Sequence, residues 1–95
     1  MKYQLLAEQD VQSAFADYLR AAREQAKLSR AALAEKSTVP ASTIKKFELT
    51  GQISFRQLLL LWQTLDDLKR LYTLTQAQQR SVTPSSIEEV LKDEF

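Results

Sequence analysis

Basic and hydroxyl-bearing side chains are concentrated in the middle of this sequence, where they form a candidate surface for binding a polyanion. Residues 18–56 contain eight lysines and arginines against three acidic residues, whereas residues 1–17 and 57–95 each carry a net negative charge. The overall net charge of +1 conceals this division. A basic segment between acidic ones favours contact with a polyanion. A solvated helix surface rich in lysine is the alternative, and composition alone does not separate the two.

The sequence lacks the residue types on which most catalytic and metal sites depend. It contains no cysteine and no histidine, which excludes disulfides and cysteine-based metal sites and removes the commonest general base. The neighbouring carboxylates Asp66 and Asp67 do not form a catalytic dyad, because adjacent helical residues do not face each other. Asp66 is expected to cap a helix instead. We therefore expect no enzyme, no metal and no cofactor, with carboxylate and lysine chemistry as the remaining alternative.

Amphipathic helices must position the basic segment. One glycine and two prolines among 95 residues argue against the tight turns of an all-β fold, and abundant glutamine, alanine and leucine favour helix. A hydrophobic content of 44% and a charged content of 26% are typical of a single globular domain. Apolar residues at helical spacing predict five helices, over residues 10–26, 29–37, 40–49, 54–65 and 66–74. The predicted fold class is all-α.

Local signals mark the ends of these helices. Ser29 and Ser54 precede apolar segments as N-caps, and Pro40 fits the first turn of the third helix, where its missing N–H has no cost. Gly51, the only glycine, can supply the left-handed conformation of a helix C-terminal cap. Residues 75–86 are polar and are predicted to be a linker, followed by a tail or short helix over residues 87–95.

The second and third helices are the informative unit. Two short helices joined by a tight turn are typical of a helix-turn-helix, in which the first braces the DNA backbone and the second enters the major groove. Ala34 supplies the small residue at which the two helices touch. The apolar residues expected to lock the pair to the domain are Leu28, Leu33, Val39, Ile44 and Phe47. The outward face of the third helix carries Ser42, Thr43, Lys45 and Lys46.

Residues 19–68 resemble the Xre/HipB-type helix-turn-helix regulators, which are related to phage repressors. The matching residues are Leu19-Arg20, Arg23, Leu28-Ser29-Arg30, Leu33-Ala34, Val39, Thr43-Ile44, Phe47-Glu48 and Gly51. The resemblance implies a five-helix phage-repressor-like domain over residues 1–74 with its core at 19–68. Four positions depart from the family's pattern, and two of them, Pro40 and Ala41, stand where many members carry polar base-reading side chains. Thr38 stands where glycine is usual in the turn, and Arg30 replaces a glutamine that tends to contact phosphate.

Nine residues are predicted to contact double-stranded operator DNA: Arg30, Ala41, Ser42, Thr43, Lys45, Lys46, Gln52, Ser54 and Arg56. Lys45 and Lys46 are expected in the groove, at base edges or phosphates, and Arg30 at a phosphate. Ala41 offers only apolar contact, for example to a thymine methyl group.

Two further expectations concern packing. Glu48 is expected to pair with Arg20 or Arg23 rather than to touch DNA. The run from Leu58 to Trp62 places apolar side chains on nearly every side of its helix. This is more apolar surface than one helix face can pack against its own core. A dimer interface is therefore predicted at Leu60, Leu61 and Trp62. The alternative is that these side chains all fit one small core.

Residues 46–54, with the leucine-rich helix that follows, are similar to HipB-like regulators encoded beside HipA-type kinase toxins. The resemblance implies a homodimeric, autoregulating repressor that is the antitoxin of a HipBA/HipBST-like module, with a HipA-like kinase toxin or its companion subunit as partner. The alternative is an interaction module that neutralises the toxin with little DNA binding of its own. Because there is no signal-peptide pattern and no apolar run long enough to span a bilayer, we expect a cytoplasmic, nucleoid-associated protein without a membrane partner.

Overall fold

The computed structural model describes residues 5–81, with side chains described as far as Gln76. Five helices and no strand occur within these residues, which confirms the predicted all-α class. They are α1 (Glu8–Gln25), α2 (Arg30–Ser37), α3 (Ala41–Thr50), α4 (Phe55–Leu65) and α5 (Leu68–Ser81). None of these helices has the length and apolar composition required to cross a membrane.

The hydrophobic core is assembled from α1, α2, α3, α4 and the turn between α2 and α3. Its buried members are Ala16, Leu19, Leu33, Val39, Ile44, Phe47, Leu61 and Trp62. Four of the five residues predicted to lock the two short helices in place are among them, and the fifth, Leu28, packs against the core while remaining partly exposed. Each large apolar side chain buried in this way contributes roughly 1.5–3 kcal/mol. The core therefore fixes the orientation of α3 relative to α1 and α4.

Serine side chains begin two of the helices, as predicted. The backbone N–H of Ala32 donates to Ser29 Oγ (3.0 Å), and that of Gln57 donates to Ser54 Oγ (3.1 Å). Pro40 lies just before α3 rather than within its first turn. These caps satisfy N–H groups that have no partner inside their own helix.

Two residues in the left-handed region set the directions of the chain around α3. Thr38, at φ 67°, ends α2, and its N–H donates to the carbonyl of Ala34 (2.9 Å). Gly51, at φ 81°, ends α3, and a Cβ atom there would lie 3.1 Å from the backbone carbon of Gln12. Gly51 is thus required by conformation and by the close approach of α1, whereas Thr38 adopts a left-handed conformation that is costly for a β-branched residue.

A polar cluster fastens α5 to α1. Arg70 Nη1 donates to the Tyr18 hydroxyl (2.7 Å) and to Asp66 Oδ2 (2.8 Å), and the Tyr18 hydroxyl donates to the same oxygen of Asp66. The hydrogen bond from Tyr18 is the main cause that holds the pKa of Asp66 below its usual range. Asp66 follows the last residue of α4, and its side chain does not cap the start of α5 as expected. Asp67 does so instead, because its Oδ1 accepts from the N–H of Lys69 (3.0 Å).

Leu61 and Trp62 belong to the core of their own chain, so the prediction that they form a dimer interface is wrong. They are 1% and 5% exposed. Trp62 Nε1 donates to the carbonyl of Asp67 (3.0 Å), and its ring stacks on Tyr18 with 5.2 Å between centroids. The apolar run of α4 is covered because this helix contacts α1, α2 and α5. Leu60 is half-buried against the same core, and its place in a dimer interface stays a prediction.

Helix α5 continues to Ser81, so the prediction of a linker starting at residue 75 is wrong for residues 75–81. Glutamine, alanine and arginine in this stretch are good helix formers even without an apolar stripe. The hydroxyls of Thr73 and Thr75 donate to the carbonyls of Lys69 and Tyr72 within the helix (both 2.7 Å). The rest of the linker and the predicted tail at 87–95 lie outside the described residues.

Candidate nucleic-acid interface

The outer face of α3 carries the basic side chains. Because Ile44 and Phe47 are buried against the core, the 3.6-residue period directs the intervening Lys45 and Lys46 outward, and both are exposed. Ser42 is also exposed, one turn before Lys46. The helix therefore presents hydroxyl and ammonium donors on the side opposite its packing face, as predicted.

A shallow cleft of about 490 Å³, lined mainly by residues with polar side chains, lies between α3 and the start of α4. It is lined by Ser42, Thr43, Lys46, Gln52, Ile53, Ser54 and Gln57. Five of the nine predicted DNA-binding residues meet in this cleft, and none of its lining residues is acidic. The cleft can therefore accept an anionic group without like-charge repulsion from its own walls.

Sequence reasoning missed Gln57. Its amide oxygen lies 3.2 Å from Ser54 Oγ, so the two side chains are in contact at the N-terminus of α4. The available signal was the spacing of Ser54 and Gln57, since a serine followed three residues later by glutamine is typical of a helix N-terminal capping box.

The loop that closes this cleft is held to α3 by Thr50. The Thr50 hydroxyl donates to the carbonyl of Lys46 (2.7 Å) and accepts from the N–H of Gln52 (3.0 Å). Gly51 supplies the left-handed turn between them. Gln52 and Ser54 are thereby placed beside Lys46 by local hydrogen bonds.

An ion-pair network joins α1, α2 and α3 beneath the basic face. Glu48 Oε2 accepts from Arg23 Nε (2.7 Å), and Oε1 accepts both from Arg23 Nη2 (3.1 Å) and from Arg30 Nε (2.9 Å). The predicted partnership of Glu48 with Arg23 is confirmed, whereas Arg20 pairs with Glu24 (3.3 Å). The side chain of Glu48 is only 2% exposed.

The arginines keep Glu48 ionised despite its burial. Burial alone would raise the pKa of this carboxyl, but the hydrogen bonds from Arg23 and Arg30, together with their charges, outweigh it and hold the pKa below its usual range. The hydrogen bond to Glu48 in turn raises the pKa of Arg23, against the opposing effect of desolvation. All buried side-chain polar atoms within the described residues have hydrogen-bond partners.

A family model described as a helix-turn-helix domain matches residues 14–82, well over half of the chain. The chain belongs to this helix-turn-helix family. Comparisons with curated proteins and with solved structures found no match. Membership supports an Xre-like DNA-binding regulator, with α2 as the bracing helix and α3 as the recognition helix of the motif.

Four predicted DNA-binding residues of the helix-turn-helix domain lie outside the cleft. Lys45 is exposed on the recognition helix, and Arg56 is exposed at the start of α4. Ala41 is half-buried in the first turn of α3. Arg30 stands at the first position of α2 and is engaged with Glu48. The nine residues were predicted as one group, but the structure brings only five of them together in the cleft.

Proposed function

We propose that this helix-turn-helix domain binds double-stranded operator DNA with α3 in the major groove and acts as a transcriptional repressor. The observation that carries the proposal is the acid-free polar cleft beside the exposed face of α3. A major groove about 12 Å wide admits one α-helix. Because the apolar face of α3 is packed in the core, the helix would enter the groove with its exposed hydroxyl and ammonium donors directed toward the DNA.

The side chains would divide the contact between bases and backbone. Lys45 and Lys46 reach base edges or phosphates from α3, assisted by Ser42 and Thr43, and Ala41 contacts a thymine methyl group. The loop and the start of α4 grip the backbone beyond the recognition helix with Gln52, Ser54 and Arg56.

The proposed active form is a homodimer on two half-sites about 34–36 Å apart, one helical turn of DNA. Exposed apolar side chains on α5 support a partner surface in this region. They are Leu68, Tyr72 and Leu74. Single exposed apolar residues need no explanation, but Leu68 and Tyr72 are one turn apart and form an uncovered apolar face on a helix that packs mainly on α4, whereas Leu74 lies on another side of α5.

The link to toxin control rests on the similarity of residues 46–54 and the leucine-rich helix to HipB-like regulators. On that basis the chain is the autoregulating antitoxin of a HipBA/HipBST-like module, with a HipA-like kinase toxin or its companion subunit as partner. The exposed apolar face of α5 also favours the second candidate, an antitoxin that acts chiefly by protein contact. Co-purification with the products of adjacent genes separates the two, provided that DNA binding is measured on the same preparation.

The deciding experiment is an electrophoretic mobility-shift titration on the DNA upstream of the protein's own gene, over a range of salt concentrations. We expect the affinity for this DNA to fall steeply as the salt concentration rises, and to exceed the affinity for an unrelated duplex. Absence of binding at low salt would overturn the proposal. Light scattering on the same protein gives its mass, and a monomer in both the free and the DNA-bound protein would exclude the dimer.

A further inference from the structure

Glu48 holds two arginines that differ in how much of their hydrogen-bonding capacity remains. Arg23 donates through Nε and Nη2 to Glu48 and through Nη1 to the carbonyl of Leu28 (2.9 Å), and its side chain is 11% exposed. Arg30 donates to Glu48 through Nε alone, and its side chain is 32% exposed. Among the contacts within residues 5–76, each of the three guanidinium nitrogens of Arg23 thus donates a hydrogen bond, whereas the two terminal nitrogens of Arg30 are still able to donate.

The position of Arg30 is suited to a ligand at the edge of the recognition helix. Lys45 and Glu48 are three residues apart and lie on the same side of α3. Arg30, which is anchored at Glu48, is therefore held at the side of α3 that carries Lys45. Two guanidinium groups around one carboxylate leave a net positive charge, so an incoming anion is attracted even though Glu48 is ionised.

We infer that Glu48 is a positioning residue for DNA binding, because it fixes Arg30 by one nitrogen and leaves the terminal pair as a preformed fork for a backbone phosphate. Arginine matches phosphate geometry with two parallel N–H donors. Fixing the side chain in advance reduces the conformational entropy that binding would otherwise remove. The inference rests on the proposed DNA binding and assigns Glu48 a role in it, although Glu48 itself does not touch DNA.

The first test measures the salt dependence of binding to a pool of random-sequence duplexes, by fluorescence anisotropy. A contact with a backbone phosphate does not depend on the base sequence, so its loss lowers the affinity for the whole pool of duplexes. Arg30→Ala should weaken binding about tenfold and reduce the slope of log affinity against log salt by about 0.9. Lys69→Ala is the matched control, since it removes one exposed positive charge from α5 and should leave the slope unchanged.

The second test asks whether Glu48 acts through Arg30. Glu48→Gln should weaken binding in the wild-type background but have no further effect in the Arg30→Ala background, because the group it positions is then absent. Circular dichroism establishes that each variant is folded at the assay temperature. If Glu48→Gln does not fold, Glu48→Asp replaces it, since aspartate keeps the charge but is one methylene too short to hold both arginines.

The outcomes separate this inference from the proposed function. No binding by the wild-type protein at low salt overturns both. Wild-type binding with an unchanged slope in Arg30→Ala overturns the inference and leaves DNA binding in place. An equal loss from the Glu48 substitution in both backgrounds means that Glu48 acts only on the fold, which also overturns the inference. Loss confined to the wild-type background, with the reduced slope, supports it.

Discussion

Replacing Glu48 by alanine should destabilise the domain more than its position at the end of a short helix suggests. The substitution removes the acceptor of three hydrogen bonds, at 2.7, 3.1 and 2.9 Å. Arg23 is then left buried with one hydrogen bond, to the carbonyl of Leu28, and with the carboxylate of Glu24 4.0 Å from its Nη2. Breaking a buried ion pair in this way typically costs about 3–5 kcal/mol. Because Arg30 is partly exposed and can turn toward water, we expect the lower end, about 3 kcal/mol.

This loss is large enough to measure by urea denaturation. Domains of this size are stable by about 5–15 kcal/mol, and a loss of about 3 kcal/mol lowers the urea midpoint by about 2 M for an m-value of roughly 1.5 kcal/mol/M. Trp62 is the only tryptophan in the sequence. Since it is buried and stacked on Tyr18, its fluorescence reports the unfolding of the core.

Two control variants test whether the loss of stability in Glu48→Ala comes from the buried ion pair. Arg30→Ala should cost less than about 1 kcal/mol, because the pair between Arg23 and Glu48 remains intact. The double variant Arg23→Met, Glu48→Leu should recover most of the loss, since apolar residues of similar volume often replace a buried ion pair without cost. If Glu48→Ala costs less than about 1 kcal/mol, or no more than Arg30→Ala, the network does not hold these helices together and the reasoning fails.

Four further outcomes follow. The free energy of unfolding should fall more steeply with decreasing pH in the wild type than in Glu48→Gln, because a carboxylate with a lowered folded pKa stabilises above its unfolded pKa of about 4.3 and loses this contribution as the pH falls through the folded value. Thr38→Gly should raise stability by about 0.5–1 kcal/mol in thermal denaturation, since it relieves the left-handed backbone; a decrease would contradict this. Gly51→Ala should lower stability by about 2 kcal/mol in the same assay, because it adds a contact with Gln12 to an unfavourable φ, and a neutral result would contradict the close approach. Lys46→Ala should weaken specific operator binding by about 1–3 kcal/mol in mobility-shift titrations if Lys46 makes a bidentate base contact, and no change would exclude that role.

Features governed by neighbouring residues were readable from the sequence. The caps at Ser29 and Ser54 and the left-handed turn at Gly51 depend on side chains within a few positions, and the structure confirms all three. The extent of α5 was missed for a related reason. Residues 75–81 have helix-forming side chains but no apolar stripe, and periodicity, which predicts buried faces, therefore gave no signal there.

Features governed by the packing of distant segments were not readable. Leu61 was predicted at an interface because one helix face cannot use so many apolar side chains, yet α4 is covered by three other helices. The contact of Arg30 with Glu48 joins residues 18 positions apart on two helices. Such a pair follows from the angle between α2 and α3, which the core decides and which no short pattern encodes.

The placement of Glu48 explains how α3 can carry a basic exposed surface and still form ion pairs with α1 and α2. Glu48 is the only acid of α3, and it points into the domain, where Arg23 and Arg30 neutralise it. Its negative charge is therefore buried and offset by two arginines, whereas Lys45 and Lys46 are exposed, and the field facing solvent stays positive. The same carboxylate accepts hydrogen bonds from Arg23 of α1 and Arg30 of α2. The stability of the α1–α3 junction and the placement of Arg30 thus both depend on Glu48, so we expect removal of its carboxylate alone to affect both.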